Sequence, residues 1–144
     1  MSYVDTSLLN GEKVTYRTHL HQIMFLFPIC CELLLLPFMF LPFAESIYVM
    51  LAAIVLAAIV FFTYSSSEFA VTNKRVIIKV GVLKTRTLEM LLSKVETVAV
   101  TQGVFGRMLG YGTIVVTGTG GTHEPFRLIA DPLGFRRAVQ AATT

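Results

Sequence analysis

Two apolar runs, Gln22 to Ala44 and Ser46 to Tyr64, follow one another with only Glu45 between them, and no Lys or Arg occurs between Arg17 and Lys74. A helix needs about 20 mostly apolar residues to cross the hydrocarbon core of a bilayer, and each run is of roughly that length. The second run is the more regular, with no charge, Gly or Pro from Ile47 to Phe62. The first carries Glu32 near its middle and prolines at 28, 37 and 42, so kinks are expected where an amide hydrogen is missing. The pattern predicts a transmembrane helical hairpin over about 22–44 and 46–64, with a re-entrant first segment as the competing reading.

Beyond Tyr64 the period changes. Phe69 to Thr72 and Arg75 to Val80 are β-type runs separated by Asn73-Lys74, which predicts a tight hairpin, and Gly81 ends its second strand. Arg86 to Leu91 alternates polar and apolar residues, with Leu88 and Met90 on one face. Glu96 to Thr101, Thr113 to Thr117 and Glu124 to Ile129 are further strands, the last two flanking the turn Gly118-Thr119-Gly120-Gly121. Asp131 suits an N-cap and Pro132 a first helical turn, and Phe135, Val139 and Ala142 recur at helical spacing, so the chain should close with a helix. Several short strands followed by one helix suggest a small sandwich or open barrel. Before the first apolar run, Val14, Tyr16 and Leu20 alternate with polar residues, compatible with a strand or with a helical continuation of that run. The organisation expected is an N-terminal segment over 1–21, a hairpin over 22–67 and a folded domain over 68–144. Ser65-Ser66-Ser67 is too short for a flexible tether, so that domain should sit close to the membrane.

Composition agrees with membrane residence: 54% hydrophobic residues, 15% charged residues and a mean hydropathy of +0.69 lie far from the average of soluble globular domains. Charge supplies an orientation. Lys13 and Arg17 precede the first run and the remaining Lys and Arg follow the second, so both termini should be cytoplasmic. Cations outnumber anions from Glu68 onward, which favours an anionic leaflet by about 1 kcal/mol per cation near the surface. No nucleic-acid motif accompanies that charge. Cys30 and Cys31 are adjacent inside the first run and form no disulfide framework.

The hairpin strand Ala70-Val71-Thr72-Asn73-Lys74-Arg75-Val76-Ile77 and the stretch Gln102-Gly103-Val104-Phe105-Gly106-Arg107-Met108-Leu109-Gly110-Tyr111-Gly112 carry a resemblance. With the preceding apolar hairpin, the opening Leu8-Leu9-Asn10-Gly11-Glu12-Lys13-Val14 and the closing helix, the chain resembles the bacterial membrane-anchored PH-domain family. The resemblance implies an α+β membrane protein: a transmembrane hairpin followed by a PH-like, strongly bent antiparallel sheet of near seven strands, closed by a C-terminal helix. It also implies the bacterial inner membrane as location. Phosphoinositide-binding PH domains hold a headgroup with cations around their first strand hairpin, and Lys74, Arg75, Lys79, Lys84 and Arg86 are the nearest equivalents by position.

No catalytic constellation, cofactor motif or metal-ligand spacing is visible around His19, His21 or His123, and His19 and His21 read as solvated or interfacial residues. The glycines at 118, 120 and 121 lack the Lys-Ser/Thr and following helix of a phosphate loop. In the 103–112 stretch, burial of Phe105 and Leu109 in a barrel mouth is the plainer expectation. A protein or membrane contact made by Val104, Phe105, Arg107, Met108 and Tyr111 is the functional alternative. Glu32 at mid-bilayer would cost about 2.5 to 3.5 kcal/mol if charged, so it should be protonated, paired or facing protein. Ala52-Ala53 and Ala57-Ala58 offer a small-residue surface for helix packing. The leading expectation is a non-enzymatic scaffold that self-associates or binds another membrane protein. An anionic-lipid-binding module and a small oligomeric channel or transporter accessory subunit using Glu32 are the alternatives.

Overall fold

The computed structural model describes residues 3–40, 43–121 and 123–143, so the kink expected at Pro42 lies outside the described residues. Among the described residues, seven strands form two antiparallel sheets. The first has the order β1 (Val14–Thr18), β2 (Glu68–Thr72), β3 (Arg75–Val80), β4 (Arg86–Leu91). The second has the order β5 (Val95–Thr101), β6 (Tyr111–Gly118), β7 (His123–Ala130). The N-terminal segment therefore supplies a strand, with Arg17 opposite Ala70. The PH-like fold is assembled from both sides of the helical segment that separates β1 from β2.

Beyond β1 the chain crosses to the other sheet. Leu20 bridges Ile129, the Ala130 amide donates to the His19 carbonyl at 3.0 Å, and the Thr18 hydroxyl donates to the Ala130 carbonyl at 2.6 Å. β4 and β5 are joined only by a 3-10 turn, Leu92–Lys94, so the two sheets form an open structure rather than a closed barrel.

Alternation along the strands builds the core. Phe69, Val71, Val76 and Ile78 of the first sheet meet Ile114, Val116, Phe126 and Ile129 of the second. Phe69 and Phe126 pack edge to face at 6.1 Å. The helix α5 (Pro132–Thr143) closes this core with Phe135 and Val139, and burial of each such side chain contributes about 1.5–3 kcal/mol. Its start is held as an N-cap should be: Asp131 Oδ1 accepts the Gly134 amide at 3.0 Å, while Oδ2 accepts the Tyr16 hydroxyl at 2.8 Å. A side chain at Gly134 would strike both Asp131 Oδ2 and that hydroxyl, so any larger residue there would have to displace this hydrogen bond.

The outer face of the first sheet is covered too. The short helix α1 (Tyr3–Ser7) places Val4 against Ala70 and Ile77. Glu68 accepts the Tyr3 and Val4 amides at 3.2 and 3.0 Å, satisfying donors that a helix start leaves open.

The first apolar run does not form one continuous helix. It is divided into a 3-10 turn (Gln22–Phe25), α2 (Leu26–Leu35) and a second 3-10 segment (Leu36–Phe40). Pro28 falls in the first turn of α2, where a missing amide hydrogen is harmless, whereas Pro37 cannot donate to the carbonyl one turn back. The second run is α3 (Phe43–Ser66), and its Ser46–Ser66 stretch is the one helix among the described residues long and apolar enough to cross a membrane. None of that stretch is buried within the chain.

Candidate functional site

The five cations that the resemblance singles out are not gathered into one site. β1 precedes the β2–β3 hairpin, so the first strand pair is β1–β2 and its connection is the whole helical segment. Lys74 and Arg75 lie at the end of β2 remote from α3, whereas Lys79 stands opposite Glu68, next to the α3 exit. Lys84 and Arg86 follow at that same end, since Val80 pairs with Arg86.

Arg75 is engaged beneath the N-terminal segment. Its Nε donates to Glu12 Oε1 at 3.0 Å and its Nη1 to Glu89 Oε2 at 2.6 Å. Glu12 also accepts the Thr72 hydroxyl at 2.6 Å and the Leu9 amide at 2.9 Å, and its carboxylate is fully covered. Burial pushes the Glu12 carboxyl up, but the hydrogen bonds from Arg75, the Leu9 amide and Thr72, with the Arg75 charge, outweigh it and bring it down to about 2. Lys79 lies 4.5 Å from the centre of the Tyr3 ring, a cation–π contact. Lys74 Nζ donates to the Asn10 carbonyl at 3.2 Å, and Arg86 pairs with Glu124 at 3.0 Å. Lys84 is exposed in the turn between β3 and β4. Most of this set thus secures the N-terminal segment or joins strands.

The 103–112 stretch folds differently from the plainer expectation. Val104–Leu109 is a short helix, α4, ended by Gly110 in the left-handed region at φ 79°. Phe105 and Leu109 are not buried in a barrel mouth, being 72% and 51% exposed. The cause is Gly106, the buried residue of α4: a side chain there would meet the Tyr111 carbonyl at 2.6 Å. Gln102 Nε2 donates to that carbonyl at 2.9 Å and to the Gly106 carbonyl at 3.3 Å, fixing the glycine side inward. Val104, Phe105 and Met108 then face outward with Arg107 exposed among them. Tyr111 belongs to β6 and packs at 5.3 Å on His21, where the chain enters the helices.

Glu32 is half-buried on α2 and lines a groove of about 370 Å³ with Leu35, Val49, Met50, Ala53 and Ala57. Of the alanines expected to form a packing surface, Ala53 and Ala57 line that groove, while Ala58 faces Val82 and Leu83 instead. His21 caps the first 3-10 turn by accepting the Ile23 amide at Nδ1, His19 packs against Tyr64, and His123 pairs with Thr117.

Comparison with known proteins adds one finding. A family model described as Bacterial PH domain matches residues 26–143, taking in α2, α3, six of the strands and α5 but not β1. No curated protein and no solved structure matches the chain. The match covers most of the sequence, including the closing helix α5 and both antiparallel sheets apart from β1: the chain belongs to the bacterial PH domain family.

Proposed function

We propose that this protein is a membrane-anchored, non-enzymatic interaction module of the bacterial inner membrane. In this reading α2 and α3 lie in the bilayer as a hairpin whose ends return to the cytoplasmic side. The PH-like domain, held at that surface, engages another membrane protein or a second copy through the outward face of α4. The observation that carries the reading is α3 itself: an apolar helix of 24 residues whose membrane-length stretch holds no buried residue. In water such a surface would be a severe liability, and lipid removes it. The absence of cations between Arg17 and Lys74, with ten Lys and Arg beyond, supports the orientation. On α4, Val104, Phe105 and Met108 around Arg107 have the residue types of interface cores.

Alkaline carbonate extraction tests the anchoring: the full chain should stay with the membrane pellet, and release into the supernatant overturns it. Crosslinking in native membranes tests the interaction surface. A crosslinked species that disappears in Phe105→Glu is expected, and an unchanged pattern removes α4 from the role.

A further inference from the structure

We propose that the turn between β3 and β4, Gly81–Thr85, is a membrane-inserting wedge, with Val82 and Leu83 entering the acyl-chain layer beside α3 and Lys84 remaining at the headgroups. The inference rests on the membrane-anchored reading above and concerns a part of the chain that reading does not use.

Depth is the first argument. Val82 and Leu83 line a cavity of about 170 Å³ together with Val55, Ala58, Ile59 and Phe62 of α3. At about 1.5 Å per residue, Ile59 and Val55 lie roughly 10 and 16 Å before the Ser66 end of the helix. The interfacial layer of one leaflet is only about 5–8 Å thick. If Ser66 marks the cytoplasmic boundary, side chains beside Ile59 are below the headgroups.

Rigidity is the second. The Gly81 amide donates to Ser67 Oγ at 3.2 Å, and that hydroxyl donates to the Thr63 carbonyl of α3 at 2.6 Å. One buried serine thus ties the turn to the end of the helix. Gly81 has φ 92°, and a side chain there would strike the Lys84 carbonyl at 2.5 Å, so the reversal depends on glycine. The turn cannot swing away from α3 without breaking these contacts.

Chemistry is the third. Leu83 is 83% exposed and Val82 42% exposed, yet both sit beside an apolar helix rather than at a polar rim. Lys84 is next in sequence, with a stem long enough to return its ammonium to the phosphates while the neighbouring side chains stay below. Phe62, more than half exposed on α3, belongs to the same apolar surface. The occupant that meets a tip apolar at its end and cationic at its shoulder is an anionic lipid bilayer.

The test uses the full chain in vesicles of phosphatidylethanolamine and phosphatidylglycerol, with Cys30 and Cys31 replaced by serine and a single fluorophore attached through Leu83→Cys, Ile59→Cys or Asn73→Cys. Lipids brominated on the acyl chain should quench the Leu83 probe as strongly as the Ile59 probe and leave the Asn73 probe bright; iodide should do the reverse. Quenching of the Leu83 probe by iodide, with Ile59 still quenched by brominated lipid, overturns the wedge and leaves the anchoring intact. Loss of brominated-lipid quenching at Ile59 as well overturns the anchoring itself. Shielding of Leu83 from both quenchers means that a protein neighbour covers it, and also overturns the wedge. Val82→Cys replaces Leu83→Cys if that variant does not fold.

Discussion

The sheet domain and the helical segment treat the same residue types in opposite ways. Phe69 of β2 is wholly buried, while Phe61 and Phe62 of α3, a few residues earlier in the chain, are more than half exposed. The difference teaches where each region obtains its stability. The sheets and α5 enclose their own core, whereas α2 and α3 share one groove and leave their remaining apolar surface to the surroundings. Substitutions should therefore divide by region rather than by residue type. Phe69→Ala should cost about 3–5 kcal/mol, as large-to-small changes in a packed core do. Phe61→Ala should stay within about 0.5 kcal/mol, as for a surface site. Thermal unfolding of the full chain in mild detergent measures both, and equal losses would break the comparison.

A second contrast lies within the sheet domain, between its apolar core and the ionic cover on the outer face of the first sheet. Arg75→Met leaves the Glu12 carboxylate covered and unpaired, and breaking a buried pair in this way costs about 3–5 kcal/mol. The pair also has a pH signature. The Glu12 carboxyl is lowered from an ordinary 4.5 to about 2 in the folded chain, so its contribution is complete above 4.5 and is lost as pH falls through about 2. Unfolding of the wild type followed from neutral pH down to pH about 2 should show that acid loss, and Glu12→Gln should flatten it. An acid limb unchanged by Glu12→Gln would mean that other carboxylates govern it.

These contrasts also mark what could be read from the chain beforehand. α3, the strands after Tyr64 and the closing helix were legible because each carries its own period and its own stop: Asn73-Lys74, Gly81, Asp131-Pro132. β1 was ambiguous, since three alternating apolar residues cannot distinguish strand from helix, and its partner β2 lies beyond both helices. The cations were visible but their partners were not, because Glu12 and Arg75 are 63 residues apart in sequence. Composition can locate a charge, but only the fold tells whether it is already satisfied. The outward turn of α4 did leave a signal: a glycine inside a six-residue helix flanked by glycines marks the side that can approach backbone closely. The division of the first apolar run likewise follows from Pro37, although the proline alone does not say whether a kink or a full interruption results.

Tyr16 offers a smaller test, at the junction where β1 meets α5. Its hydroxyl is pushed up to about 12 by burial, by the hydrogen bond to Asp131 and by that carboxylate's charge. A raised value means that the contribution is complete below the ordinary 10.0 and is lost as pH rises through about 12. Tyr16→Phe keeps the edge-to-face packing on Phe135 and removes only the hydrogen bond, so a loss of about 1 kcal/mol is expected at neutral pH. Spectrophotometric titration should show one tyrosine fewer ionising at the high end. A loss at the scale of Phe69→Ala would mean that the hydroxyl holds the start of α5 rather than trimming it.

A small effect should also come from Arg86 and Glu124, although the pair stands in a conspicuous place. It joins β4 to β7, strands of different sheets that share no ladder. Position alone would suggest a clamp holding the two sheets together. Exposure argues otherwise, since the Arg86 side chain is 58% and the Glu124 side chain 35% exposed. Pairs of this kind contribute about 0.2–1 kcal/mol in water, and salt screens them further. The sheets are already joined through Leu20 and Ile129 at one edge and through the shared core beneath α5, so little is left for the ion pair to hold. Arg86→Ala should therefore lower stability by less than about 1 kcal/mol at low salt and by almost nothing in molar salt. A larger, salt-independent loss would show that the open edge between β4 and β5 depends on this contact, and that the core is a weaker tie between the sheets than its burial implies.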